Sequence, residues 1–240
     1  MELAPGIRRV GSHSIVNSYL LEEAGEVTVI DAGAPGLWPL VLRELEAMGR
    51  RLDDVRAIVL THGHSDHVGY AERARREQGW PVLVHEADET LATGRVKSSS
   101  DKVRLRIRPT LGFAWWSLRR GLLRVPPLGA VATFGDGATL DLPGSPRVIL
   151  VPGHTPGSAA LHVASRDAVF VGDAIATYSV TDGYRGPRIA PFGADYVRAR
   201  DSLGRLEGLS ARMVLPGHGD AFTGGIDEAV RRTREAPLPG

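Results

Sequence analysis

Six consecutive residues, His62-Gly63-His64-Ser65-Asp66-His67, carry three imidazoles and one carboxylate. The whole chain holds 8 histidines in 240 residues, so three of them beside an aspartate in one hexapeptide is a clustering that chance rarely supplies. Neutral imidazole nitrogen and carboxylate oxygen suit zinc, manganese or iron. The spacing lets these groups share a small volume. In an extended segment residues two apart point the same way, which sends His62 and His64 to one side. Asp66 and His67 follow where the chain turns into a helix expected from near Val68, whose N-terminus faces the end of the preceding strand.

Three other places have the same form. Gly153-His154-Thr155 follows the apolar run Arg147 to Val151, Asp173 follows Ala168 to Val171, and Gly217-His218-Gly219 follows Met213 to Leu215. Each puts a ligand-type residue at a strand end with a glycine nearby, where the backbone can pass close to an ion. Taken singly, each also reads as a capped strand end or a turn.

The elements that must position these residues are legible as a coarse pattern. Strands are expected at Ile15 to Leu21, Val27 to Ile30, Val55 to Leu60, Pro81 to Val84, Val131 to Phe134, Arg147 to Val151, Ala159 to Ala164, Ala168 to Val171 and Met213 to Leu215. Helical spacing marks Leu37 to Met48, Val68 to Gln78, Asp195 to Leu209 and Ile226 to Arg234, and Gly49 and Gly79 close the first two. Strands interleaved with helices imply an α/β layered domain with helices over the sheet faces. No linker divides residues 1–240, which read as a single domain with a helical insertion at about 95–127.

Composition narrows the function classes. A net charge of +1 gives no global pull toward nucleic acid or membrane. There is no cysteine, so a disulfide framework, a thiolate metal site and a thiol nucleophile are all excluded. The N-terminus has no basic start followed by an apolar run, and no stretch approaches the length of a spanning helix. A cytoplasmic protein without stable membrane anchoring is expected, with a small-molecule substrate as partner; a homodimer is compatible with the sequence.

Taken together, Asp31, the segment 62–67, Gly153-His154-Thr155, Asp173 and His218 resemble the metallo-β-lactamase superfamily, over nearly the whole chain. The resemblance implies an α/β fold of the αββα four-layer sandwich type. It also implies ligand roles: His62, His64 and His154 on one metal, Asp66, His67 and His218 on a second, Asp173 bridging both, and Asp31 supporting the loop without binding metal. Seven ligands exceed what one four-coordinate ion needs, so two divalent ions are the natural count, zinc first and manganese or iron next. Their charge, less that of Asp66, Asp173 and a bridging hydroxide, leaves about +1 by formal counting, an electrophilic centre for a carbonyl or phosphoryl oxygen. Hydroxide attack on an ester, lactone, thioester or amide is the expected reaction, with Asp66 as the catalytic carboxylate that orients the hydroxide or takes a proton.

The sequence departs from several subfamilies. No Gly-Cys-Gly-Arg element follows Asp173, unlike the glyoxalase II and persulfide dioxygenase types, and Ala176 stands where the acyl-homoserine lactonase type has a tyrosine. The second site has no cysteine ligand. Two rivals to a binuclear hydrolase remain: a mononuclear iron oxidoreductase in the same cage, and an inactive ligand-binding member.

Substrate choice points elsewhere. Between Arg95 and Arg124 the chain has nine Lys or Arg residues against Asp101 alone, together with Phe113, Trp115, Trp116, Leu118, Leu122 and Leu123. This segment can be a packing insertion with a solvated arginine face, a lid over the metals with Trp115 and Trp116 touching substrate, or a membrane-surface helix. Tyr178 or Tyr184 can donate a hydrogen bond to the reacting oxygen. His85 can support the site or the fold, and His13 and His162 read as structural.

Overall fold

Apolar side chains alternate along the strands and divide the interior into three packed layers. The computed structural model describes residues 1–11 and 15–239; His13 lies outside the described residues. The first sheet runs in chain order: β1 (Glu2–Ala4), β2 (Ile7–Arg9), β3 (Tyr19–Glu23), β4 (Glu26–Ile30), β5 (Val55–Val59), β6 (Val82–His85) and β7 (Ala132–Phe134). Its first four strands pair antiparallel and the rest parallel. The second sheet holds β8 (Arg147–Leu150), β9 (Ala159–Val163) and β10 (Ala168–Gly172); β11 (Ala176–Tyr178) and β12 (Arg185–Arg188) form a separate ribbon, and β13 (Met213–Pro216) returns parallel to β10.

Between the sheets lie Leu21, Ile30 and Val59 from one side and Val148, Leu161, Phe170 and Leu215 from the other. Their neighbours in sequence face outward. Leu20, Val29 and Ile58 pack under α1 (Trp38–Ala47), α3 (Ala71–Gln78) and Trp116 of α5 (Ile107–Arg119); α2 (Ser65–Val68) and α4 (Glu89–Ala92) are single turns at the sheet edge. Val169 and Val214 pack under α6 (Tyr196–Ser202) and α7 (Ile226–Glu235). The order is helix, sheet, sheet, helix. The central strands are covered on both faces, which is why they read as continuous apolar runs. Each fully buried Val, Leu, Ile or Phe contributes about 1.5–3 kcal/mol, enough to set this layering over local preference.

Two helices differ from expectation. The helix expected over 68–78 is split, and its first turn begins at Ser65, so Asp66 and His67 lie on helix rather than before it. The break falls at Gly69, where a Cβ would overlap the Gly33 carbonyl oxygen and Ala34. That contact docks the metal-loop helix on the chain leaving β4, through Gly69 N to Gly33 O at 2.9 Å and Ala32 N to His67 O at 2.6 Å. The helix expected to reach Leu209 ends at Ser202 and tightens into a 3₁₀ turn over Leu203–Leu206. β1, β2, β11 and β12 were not expected; they are three or four residues long, too short for a period to show.

Candidate metal centre

Strand ends of both sheets meet at one edge of the sandwich. β5 delivers His62 and His64, α2 delivers Asp66 and His67, and the loops after β8, β10 and β13 deliver His154, Asp173 and His218. All seven residues converge. Ligand atoms of His62, His64 and His154 lie within 4.8 Å of one another, as do those of Asp66, His67 and His218, and those of His62, His67 and Asp173. Asp173 sits between the two histidine groups. Its Oδ1 is 3.5 Å from His67 Nε2, and its Oδ2 is 3.3 Å from His154 Nε2 and 3.2 Å from His218 Nε2.

The far nitrogen of most of these rings is held, which fixes the near one. Thr61 Oγ1 donates to Asp31 Oδ2 at 2.8 Å, leaving its lone pairs for His62 Nδ1–H at 3.1 Å. His62 Nε2 is then a bare lone pair, buried and without a hydrogen-bond partner among the described residues. His67 Nδ1 donates to Asp31 Oδ2 at 2.9 Å, and His67 Nε2 and Asp173 Oδ1, 3.5 Å apart, are likewise buried without a hydrogen-bond partner among the described residues. His218 Nδ1 donates to the Ile15 carbonyl. Ser98 Oγ donates to Ser99 O, so it accepts from His64 Nε2 at 2.7 Å and frees His64 Nδ1, which lies 2.9 Å from His154 Nε2. With the imidazoles in their neutral forms these are facing acceptor atoms, aimed at common points and shielded from water, which a bound cation satisfies. The residues present fit divalent ions.

Charge follows position. Burial, helped by the neighbouring imidazoles, pushes His62 well below the usual histidine range. Burial also lowers His64, and takes His154 down to about 3 against the pull of Asp173. The second group is opposite. Burial disfavours charge on His67, but Asp31, Asp173 and Asp66 outweigh it and raise the imidazole to about 9. Asp173 and Asp66 likewise overcome burial at His218 and hold it well above the usual range. Burial alone would protonate Asp173; His218, His67 and His154 hold it well below the ordinary carboxylate value. Asp66 is also lowered, by His67 and His218 against burial.

Asp31 holds the centre together without reaching it. Besides Thr61 Oγ1 and His67, it accepts Thr61 N at 2.7 Å. Its φ of 57° is a left-handed conformation that costs about 1–2 kcal/mol. Three hydrogen bonds to a buried carboxylate, at about 1.5–3 kcal/mol each, outweigh that strain. Gly217 does its part by lacking a side chain, because a Cβ there would overlap Asp173 Oδ1 and His67 Cε1.

Two positioning residues escaped the sequence reading. Asp88, fully buried, accepts Gly63 N at 2.9 Å, Thr155 Oγ1 at 2.7 Å and Gly157 N at 2.7 Å, so one carboxylate ties the His62–His64 loop to the His154 loop. It lies in the acidic run Glu86 to Glu89, which hides it. Asn17 Nδ2 donates to Pro216 O at 2.8 Å and Gly219 O at 2.7 Å, framing His218. A polar residue inside the apolar run Ile15 to Leu21 was a usable signal.

A cavity of about 670 Å³ opens beside His64 and Asp66. Leu91, Val96, Phe113, Leu122, Leu123, Val125 and Phe192 make its walls largely apolar, with Lys97 as its one cationic side chain. Ser117 also lines it, and its Oγ is buried without a hydrogen-bond partner among the described residues. The three residues expected to touch substrate lie elsewhere. Trp116 faces the core at 7% exposure, stacked on Phe113. Trp115 is exposed, with the Arg119 guanidinium over its ring. Tyr178 lies under Arg185, and Tyr184 under Arg188. None of the four lines the cavity. His85 packs on Phe134, and His162 bonds to Ser210 O.

A family model described as the metallo-beta-lactamase superfamily matches residues 12–218. The chain belongs to the metallo-beta-lactamase superfamily. Within it, the chain is similar to a "Probable metallo-hydrolase YflN" of Bacillus subtilis, with 27% identity over 93% of this chain and 87% of that one. An uncharacterized protein of Mycobacterium leprae, ML0493, is 31% identical over 88% of this chain and 89% of its own length. Among solved structures, a metallo-beta-lactamase family protein of Thermus thermophilus, TTHA1429, shares the fold at a TM-score of 0.70 and 24% identity, over 98% of this chain and 80% of that one. The structure of TTHA1623 "in a di-iron-bound form" aligns at a TM-score of 0.63 and 28% identity, over 91% of this chain and 95% of that one. The αββα architecture is that of these superfamily structures. Among the described residues no helix is long and apolar enough to cross a membrane.

Proposed function

We propose that this protein is a binuclear metal-dependent hydrolase of a small-molecule ester, lactone, thioester or amide. The observation that supports two sites is the placement of Asp173, within 3.5 Å of imidazoles from both histidine groups. His62, His64 and His154 would hold one cation, Asp66, His67 and His218 the other, and Asp173 both. Divalent cations there would supply Lewis acidity toward the substrate oxygen and lower the pKa of water to about 7.

The side chains around them define the rest of the reaction. Asp66 is half-buried on the cleft side and kept ionised by its imidazole neighbours, so it orients an attacking water by accepting its hydrogen bond. The apolar walls receive the apolar part of the substrate and exclude bulk water, while Ser117 Oγ and the Lys97 ammonium offer polar contacts to its other end. Zinc is the expected metal. The di-iron form of TTHA1623 supports iron as the competing ion.

The test is to load the full chain with zinc or ferrous iron and count metal per chain by elemental analysis. In parallel, lactones, thioesters, β-lactams and phosphodiesters are offered under oxygen monitoring. About two metals per chain and hydrolysis without oxygen uptake are expected. Less than about one metal per chain after loading sinks the two-metal reading; oxygen consumption coupled to turnover replaces it with an oxidoreductase.

A further inference from the structure

Helix α5 buries only one of its faces. Trp116 and Ser117 are buried and Phe113 is half-buried. On the other side Ile107, Leu111, Trp115 and Leu118 are 79%, 63%, 61% and 62% exposed. Their spacing of four, four and three puts them in one stripe along the helix. Leu105 and Leu123, 60% and 73% exposed, stand beyond its two ends. Single exposed apolar residues need no explanation, but a row of them along a helix does.

The row is embedded in positive charge. From Arg95 to Arg124 nine cations face one anion, a net of +8 in a chain whose total is +1, so the remainder carries −7. Asp101, the one anion, already accepts the Tyr196 backbone N–H. Lys102, Arg104, Arg106, Arg108 and Arg124 are exposed, and none has an ion-pair partner among the described residues. Arg119 lies 4.8 Å over the Trp115 ring, within the stripe itself.

We propose that the outer face of α5 docks reversibly on anionic phospholipid surfaces. Charge complementarity selects this occupant. A second copy paired by two-fold symmetry would set the same patch against itself, cation against cation. A lipid surface matches every part of the stripe. Its apolar boundary takes up Ile107, Leu111 and Leu118, its interfacial zone suits Trp115, and its headgroups meet the arginines. With 13 residues α5 lies on the surface and does not span. Leu123 also lines the cleft, so docking brings lipid close to the rim of the candidate active site.

Flotation of the full chain with phosphatidylcholine vesicles, with and without phosphatidylglycerol, tests this, and no metal or turnover is involved. Binding is expected only to the anionic vesicles and is lost in about 1 M salt, where screening reaches about 3 Å. Trp38, Trp80 and Trp116 are buried, so Trp115 supplies the spectral response: a blue shift on binding, quenched by brominated lipid and absent in Trp115→Phe. Leu111→Glu and Ile107→Asp, both at exposed positions, are expected to weaken binding about tenfold or more with an unchanged circular dichroism spectrum. Equal binding to neutral vesicles, no binding to anionic ones, or binding indifferent to both substitutions overturns the proposal. So does a dimer in analytical ultracentrifugation that Leu111→Glu dissolves, which would make the face a self-association surface.

Discussion

The metal-side loops and the 95–127 segment border one cleft and are built in opposite ways. On the metal side, Asp31, Asp88 and Asn17 are buried and each accepts or donates two or more hydrogen bonds across loops far apart in sequence. Across the cleft, α5 holds the sheet through a few side chains and turns leucines and a tryptophan outward. The lesson is a division of labour. The arrangement of acceptor atoms is over-determined by buried polar contacts, while the facing wall of the cleft belongs to a segment that the core constrains loosely. That contrast can be broken from either side.

The largest effect is expected at Asp173. Asp173→Asn removes the carboxylate that both histidine groups face, so metal per chain should fall by half or more and turnover should disappear. If Asp173→Asn still binds two metals and turns over, the carboxylate does not link the groups. Asp88→Ala comes next. It leaves Gly63 N, Gly157 N and Thr155 Oγ1 without their acceptor, and each such buried group costs about 1–3 kcal/mol. Loss of a positioning partner should lower metal affinity or activity about 10–100-fold. Metal titration of a folded Asp88→Ala variant decides it; unchanged affinity would reduce Asp88 to a purely structural tie.

The same contrast explains what was legible in the sequence. The seven ligand-type residues could be named because each lies in a segment that follows an apolar strand-like run, with a glycine or a second ligand marking the turn, whereas the role of Asp31 came only from the resemblance to the family. A layered α/β domain could be expected from strands interleaved with helices, and the four-layer sandwich only from the resemblance to the family. Asp88 and Asn17 could not be placed, since their partners lie 25 to 202 residues away and only the assembled loops bring them near. In the 95–127 segment the helix could be expected but its rotation could not. Trp115 and Trp116 are adjacent, about 100° apart on a helix, and composition does not say which one faces the core.

Protonation gives a smaller and graded test of the two histidine groups. In the ion-free protein the surrounding carboxylates raise His67 to about 9 and hold His218 well above the usual histidine range, so both are cationic at neutral pH, whereas burial lowers His154 to about 3 and keeps it neutral. A cation entering the Asp66–His67–His218 group must displace protons, and its affinity should rise with pH by up to about tenfold per unit for each proton released, levelling as His67 deprotonates. Affinity at the His62–His64–His154 group should be nearly flat over the same interval, because those rings are already neutral. Competition titrations across that interval should therefore resolve one pH-dependent and one pH-independent cation. Two parallel slopes would mean that the groups do not differ in the way their surroundings require.

The smallest effects on the metal centre should come from the two tryptophans, and the pair forms its own control. Trp116 lies in the core under the first sheet, so Trp116→Ala opens a cavity costing about 3–5 kcal/mol and lowers the melting temperature by on the order of 10 °C. Trp115→Ala removes an exposed ring and one cation–π contact, worth about 0.5–1 kcal/mol at such a site, and should shift the melting temperature by only a few degrees. Neither ring lines the cleft, so metal content should hold in both, and Trp115→Ala should leave turnover of a water-soluble substrate unchanged. Phe113→Ala is the informative neighbour, because Phe113 does line the cleft: its loss should raise KM for apolar substrates about tenfold or more while small polar ones are turned over as before. If Trp115→Ala instead changes substrate preference in solution, the outward face of α5 closes over the cleft during turnover, and the division between a rigid metal side and a loosely held opposite wall extends to a moving one.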